Sequence, residues 1–143
     1  MKITQISIFL ENRKGRLFEV CSLLGKGGVN IRALTIAETE SFGVLRIVVN
    51  KPEQAVKLLR ENSFVANLTD VVAVEVPDKP GGLADVLKIL SENDVNVEYM
   101  YGFLEKAGSN AILVFRFEDT AYAQKILTAN SINIVTSQNI KGL

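Results

Sequence analysis

Two segments of the chain hold residue types that could bind a charged small molecule: Asn12-Arg13-Lys14-Gly15-Arg16-Leu17 and Asp78-Lys79-Pro80-Gly81-Gly82-Leu83. Each places a glycine just ahead of an apolar-periodic stretch. A glycine at a strand-to-helix turn lets the backbone approach a ligand closely. The first-turn amides beyond it are unsatisfied donors at the positive end of a helix dipole, which suits a carboxylate or phosphate. Asn12 or Asp78 can close the turn through its side chain, or bind an ammonium or amide. Asn30-Ile31 and Asn96-Val97 follow at matching distances. An asparagine offers donors and an acceptor, matching the mixed polarity of a free amino acid. The element order is expected to place both asparagines beside the loops. Either segment alone is explained by ordinary turn chemistry; two copies in register favour binding.

The remaining candidates carry less. Arg13, Lys14 and Arg16 could help hold an anion, or simply be solvated. Glu11, Glu38 and Asp78 do not resolve into an acid/base pair. There is no histidine, which removes the commonest general base and metal ligand, and a single cysteine, which excludes an internal disulfide. Cys21 lies on an apolar helix stripe, opposite Leu87 of the second copy, and reads as a buried, inert thiol. Gly25-x-Gly27 sits at a helix end rather than its start, so no dinucleotide fingerprint is present. Phe115 and Phe117 could stack bases, but their counterparts Ile47 and Val49 cannot, and the alternation puts all four on the core side. Tyr99 and Tyr101 could line a pocket or an interface, or only pack. No catalytic residue, cofactor or metal is expected.

The elements that position these residues occur twice. Gly81 lies 66 positions after Gly15, and Leu17, Val20, Leu24, Val29 and Asn30 meet Leu83, Val86, Leu90, Val95 and Asn96 at the same spacing. Ile6, Ile8 and Leu10 alternate as a strand, as do Val72, Val74 and Val76. Leu17, Val20, Cys21 and Leu24 form a helical stripe, repeated by Leu83, Val86, Leu87 and Leu90. Gly27-Gly28 and Asn93-Asp94 suit left-handed helix ends. Second strands are expected over 29–38 and 95–105, hairpin turns at Glu40–Gly43 and Lys106–Asn110, third strands over 44–50 and 112–118. From the third strands onward the spacing is 68, so the second hairpin carries two extra residues. Second helices start near Pro52 and Thr120 and end in Asn62-Ser63 and Asn130-Ser131. Fourth strands are expected over 64–68 and 132–137, with Asn67–Asp70 as the connection between copies. Each half thus reads β-α-β-β-α-β, an α+β fold of two tandem ferredoxin-like domains, 1–69 and 70–143, with helices on one face of an antiparallel sheet. The other sheet face is expected to be open and to favour self-association.

Lys+Arg and Asp+Glu are both 16, and a zero net charge argues against a nucleic-acid platform. No apolar run approaches the roughly 20 residues of a membrane span, and no signal peptide is read at the N-terminus. The cytoplasm is the expected location.

In Asp78-Lys79-Pro80-Gly81-Gly82-Leu83 with Val95-Asn96-Val97, the chain resembles the ACT domain family, whose pattern is D-x-P-G-x-L followed by V-N-I. Asn12–Leu17 with Val29-Asn30-Ile31 is a second copy that departs from it at Asn12 and Lys14. The first half also resembles the regulatory subunit of acetolactate synthase, through residues 8–17 and Asn30–Thr35. The resemblance implies a non-catalytic regulatory module that binds a free amino acid between paired modules. One module would supply its glycine loop and its neighbour the asparagine region. It implies a homodimer and, as an alternative, service to a biosynthetic enzyme such as acetolactate synthase. A purely structural dimerisation module is a further reading.

Overall fold

The computed structural model describes residues 3–38 and 41–141. Glu40 of the expected turn and the outermost residues of both expected domains lie outside the described residues. The chain forms two compact units, built mainly on Thr4–Thr69 and on Asp70–Asn139.

In the unit of Thr4–Thr69, strand β1 (Ile3–Glu11) leads into helix α1 (Arg16–Lys26), strands β2 (Ile31–Glu38) and β3 (Phe42–Val49), and helix α2 (Pro52–Glu61). β3 is central, antiparallel to β1 (Ile8 opposite Leu45) and to β2 (Leu34 opposite Ile47). Alternation sends Ile6, Ile8, Leu10, Leu45, Ile47 and Val49 to one face, where they meet Val20 and Leu24 of α1 and Ala55 and Leu59 of α2 in one core.

In the unit of Asp70–Asn139 the pattern recurs. Strand β4 (Val65–Pro77) enters helix α3 (Gly82–Glu92), followed by β5 (Val97–Gly102), β6 (Asn110–Phe117), helix α4 (Thr120–Ala129), β7 (Ile134–Val135) and helix α5 (Ser137–Lys141). β6 is antiparallel to both β4 and β5, and β7 pairs with β4 at Ala73 and Val74. Val72, Val74, Val76, Phe115 and Phe117 join Val86, Leu90, Ala123 and Leu127 in the second core. The two Phe rings stack in parallel, centroids 5.5 Å apart and fully buried, so they hold the core together rather than offer a platform. The fold is α+β with the ferredoxin-like order in both units.

All four longer helices stop the same way, with a residue of positive φ just past the C-cap: Gly28, Ser63, Asp94 and Ser131. That conformation returns the chain to a strand by satisfying the last helical carbonyls. Gln54 Nε2 donates to Gly27 O at 2.7 Å, and Tyr122, its counterpart, donates its hydroxyl to Asn93 O at 2.9 Å. Different side chains thus fasten the second helix to the end of the first in each copy.

Three expectations need correction. No loop divides the copies: β4 runs unbroken over 13 residues, through the expected connection at Asn67–Asp70. Asn and Asp there suggested a turn, yet no glycine or proline interrupts the run, and Thr69, Val71 and Val72 are β-branched. The last strand keeps two residues rather than six, because a capping box starts α5 at that point. Asn139 N–H donates to Thr136 Oγ1 at 3.3 Å, and Thr136 N–H donates to Asn139 Oδ1 at 3.1 Å. The sheet face away from the helices is open only in part: Gln5, Val71, Ala73 and Val114 lie on it and are fully buried, whereas Phe9, on the same face, is 45 % exposed.

Candidate functional site

The loop into α1 is anchored to the β2–β3 hairpin end: Asn12 N–H donates to Ser41 O at 3.0 Å. Gly15 has φ +90°, and a Cβ there would meet nothing within 4 Å, so conformation rather than space requires glycine. No side chain caps α1. Asn12 therefore does not close the turn; backbone bonds do, with Arg13 N–H to Glu11 O at 2.8 Å and Arg16 N–H to Arg13 O at 3.4 Å.

Two of the three basic side chains of this loop are held by carboxylates instead of facing an anion. Arg13 Nε donates to Glu11 Oε2 at 3.1 Å. Arg16 Nη1 donates to Glu19 Oε2 at 2.7 Å, and its guanidinium lies 4.4 Å over the Phe64 ring. The Arg16 side chain is only 18 % exposed. Asn12, Arg13, Arg16 and Leu17 line a small cavity of about 120 Å³ with Ile36, Glu38 and Gly43.

The loop into α3 repeats the backbone but not the side chains. Asp78 N–H donates to Ser109 O at 3.4 Å, Gly81 has φ +83°, and again no side chain caps the helix. The Asp78 carboxylate accepts from Lys106, in the longer second hairpin. Lys79 and Pro80 are exposed, and Leu83 packs partly into the core. Gly82 is buried; a Cβ there would lie 2.0 Å from the Pro77 carbonyl oxygen. Lys79 and Gly82 border a cavity of about 320 Å³ beside α3.

The asparagines do not sit beside the loops of their own unit. Ile31 pairs with Val49 at the far end of β3, and Asn30 N–H donates to Asn50 Oδ1 at 2.9 Å, whereas Asn12 is tied to Ser41 at the near end. Eight residues of strand separate these ends, about 25 Å at roughly 3.3 Å per residue. In the other unit Asp78 is tied to Ser109 and Val97 pairs with Phe117, the opposite end of β6. The cause is the helix: it carries the chain back along the sheet before the second strand begins, so loop and asparagine fall at opposite ends. Asn96 and Val97 instead border an open depression with Leu87, Ser91 and Asp94.

Cys21 is half-buried on α1, and burial raises its thiol pKa above the usual value, so it is no activated nucleophile. Among the described residues no group of His, Cys, Asp and Glu could hold a metal ion, and no helix is long and apolar enough to cross a membrane.

Gly15 and Gly81 each open an uncapped helix in a β-α-β-β-α-β unit, and residues 1–143 as a whole match the ACT domain pair. The chain belongs to that family. ACT domain pairs are typical of amino-acid-sensing regulatory modules. A Bacteroides thetaiotaomicron protein of known crystal structure is 40 % identical over 100 % of this chain and 98 % of its own, with a TM-score of 0.93. The regulatory subunit of aspartate kinase from Thermus thermophilus has the same fold at 14 % identity, covering 88 % of this ACT pair and 90 % of that chain, TM-score 0.63. Its Thermus flavus counterpart gives 16 % identity, 88 % of each chain and a TM-score of 0.63. No curated protein matches.

Sequence reasoning missed the groups that set the two loops apart: Lys106 on Asp78, and Glu19 and Phe64 on Arg16. One signal was available. At a spacing of 66 residues Arg16 faces Gly82, the largest side-chain mismatch within the motif.

Proposed function

We propose that this ACT domain pair is a non-catalytic sensor that binds a free amino acid at the loops entering α1 and α3. The observation that carries the reading is the duplicated helix start. Gly15 and Gly81 share a left-handed conformation, and neither α1 nor α3 has a side-chain cap, so first-turn amides are available to a carboxylate. The ligand groups fall to Asn12–Leu17 and Asp78–Leu83. Asn30-Ile31 and Asn96-Val97 are some 25 Å from the loop of their own unit by strand length, so they serve a site only as the neighbouring-module half of a paired arrangement.

A homodimer supplies such neighbours. Leu17, Ile36 and Phe42 are 40 %, 51 % and 56 % exposed around the first loop, an apolar surface that favours a protein contact. Binding would change output only if the ligand prefers one state of the assembly. Output would then pass to a partner in the cytoplasm, such as a biosynthetic enzyme. A thermal-shift and calorimetric screen of the free amino acids tests the reading. Folded protein that responds to none of them at millimolar concentration refutes it.

A further inference from the structure

The two copies differ at Arg16 and its counterpart Gly82, and the difference has the shape of a ligand. In the first copy Arg16 lays its guanidinium over Phe64, with Glu19 accepting at 2.7 Å and Glu11 at 3.9 Å. In the second copy the counterparts are Gly82 for Arg16, Ile132 for Phe64 and Asp85 for Glu19. These three residues line the cavity of about 320 Å³ that opens beside α3. Where one copy holds its own guanidinium, the other holds space. That volume falls at the small end of ligand pockets, roughly 300–1,000 Å³.

The charges left in the cavity are complementary to an amino acid. In the first copy Arg13 is paired with Glu11, and Glu19 with Arg16. Their counterparts Lys79 and Asp85 line the cavity, and among the described residues neither side chain has a hydrogen-bond or ion-pair partner. Glu75 adds a second carboxylate to the wall, oriented by Asn133, whose amide donates to it. Arginine side chains are favoured against carboxylates because the planar guanidinium forms two parallel hydrogen bonds.

We infer that the cavity beside α3 binds a small guanidinium-bearing amino acid such as free arginine. The guanidinium takes the place of the missing Arg16, against Asp85 and the apolar surface of Ile132, with Glu75 adding to the negative field. The α-carboxylate meets the Lys79 ammonium. Gly82 keeps the space clear, since any side chain there runs into the Pro77 carbonyl. This assignment rests on the sensor reading, because it takes the ligand to be a free amino acid, and it adds which one and where.

Calorimetric titration of the whole chain with arginine and with citrulline, its uncharged near-isostere, provides the test. Arginine is expected to bind and citrulline to bind at least tenfold more weakly. Asp85→Asn is expected to weaken arginine at least tenfold, and Glu19→Gln, outside the cavity, to leave arginine binding unchanged. Equal binding of arginine and citrulline overturns the assignment, as does full arginine affinity in folded Asp85→Asn. Binding of another amino acid with arginine inert also overturns it while leaving the sensor reading intact. Silence toward every amino acid removes both. If Asp85→Asn does not fold, the arginine–citrulline comparison in the unaltered protein still decides.

Discussion

Gly81→Ala and Gly82→Ala change adjacent residues of one loop, yet their costs have different origins. At Gly81 a Cβ meets nothing within 4 Å, but φ is +83°. An L-residue held in that region loses about 1–2 kcal/mol. At Gly82 the conformation is helical, and alanine would gain up to about 1 kcal/mol in propensity. Against that gain stands a Cβ 2.0 Å from the Pro77 carbonyl oxygen. The obstacle is backbone, so no rotamer change relieves it, and the turn that carries Pro77 must shift against the buried Gly82. Overpacking of this kind costs about 1–3 kcal/mol and occasionally more; an overlap this deep belongs at the top of that range or beyond it. Gly82→Ala should therefore be the more destabilising, at about 2 kcal/mol or more net of the propensity gain, against about 1–2 kcal/mol at Gly81. Gly15→Ala, with φ +90° and the same open space, should match Gly81→Ala. Urea unfolding measures all three, with unchanged m-values confirming that stability alone moved. A Gly82→Ala protein as stable as Gly81→Ala would refute the steric argument and show that the loop gives way freely.

Three further outcomes are expected. Arg16→Ala should cost about 1–2 kcal/mol in urea unfolding, combining a partly desolvated cation–π contact with a half-exposed ion pair, and Arg16→Lys should recover less than half of it because an ammonium lacks the planar stack. Asp119→Ala should cost about 1 kcal/mol in thermal unfolding by removing the only side-chain cap among α1 to α4, whereas Lys51→Ala at the equivalent position of α2 should cost almost nothing. Cys21 should react slowly with iodoacetamide at neutral pH and much faster in urea; because burial raises its pKa in the folded state, its contribution to stability is complete below the unfolded value near 8.5 and is lost as pH rises through the folded one.

Much of the fold was legible because local physics and tertiary structure agree. The period-two runs at Ile6–Leu10 and Val72–Val76 became core strands, and Gly27-Gly28, Asn93-Asp94, Asn62-Ser63 and Asn130-Ser131 became left-handed helix ends. The glycine loops were legible as backbone. Their side chains were not, because the partners come from far along the chain: Phe64 for Arg16, and Lys106 for Asp78. The asparagines lie at the opposite sheet end from the loops because a helix reverses the chain before the next strand starts. At Asn67–Asp70 polar turn formers suggest a loop, but without glycine or proline they do not break the strand.

The unbroken β4 also bears on how this chain can be divided. Cutting after Thr69 would leave Val65–Thr69 as a truncated end and Asp70–Pro77 as a raw beginning of the same strand. Each half made alone would carry a frayed strand end into its sheet, an invitation to edge-to-edge association. A protease would find no glycine- or proline-rich stretch between the copies to nick. The duplication, so easy to see as two sequences, offers no loop at which to separate them.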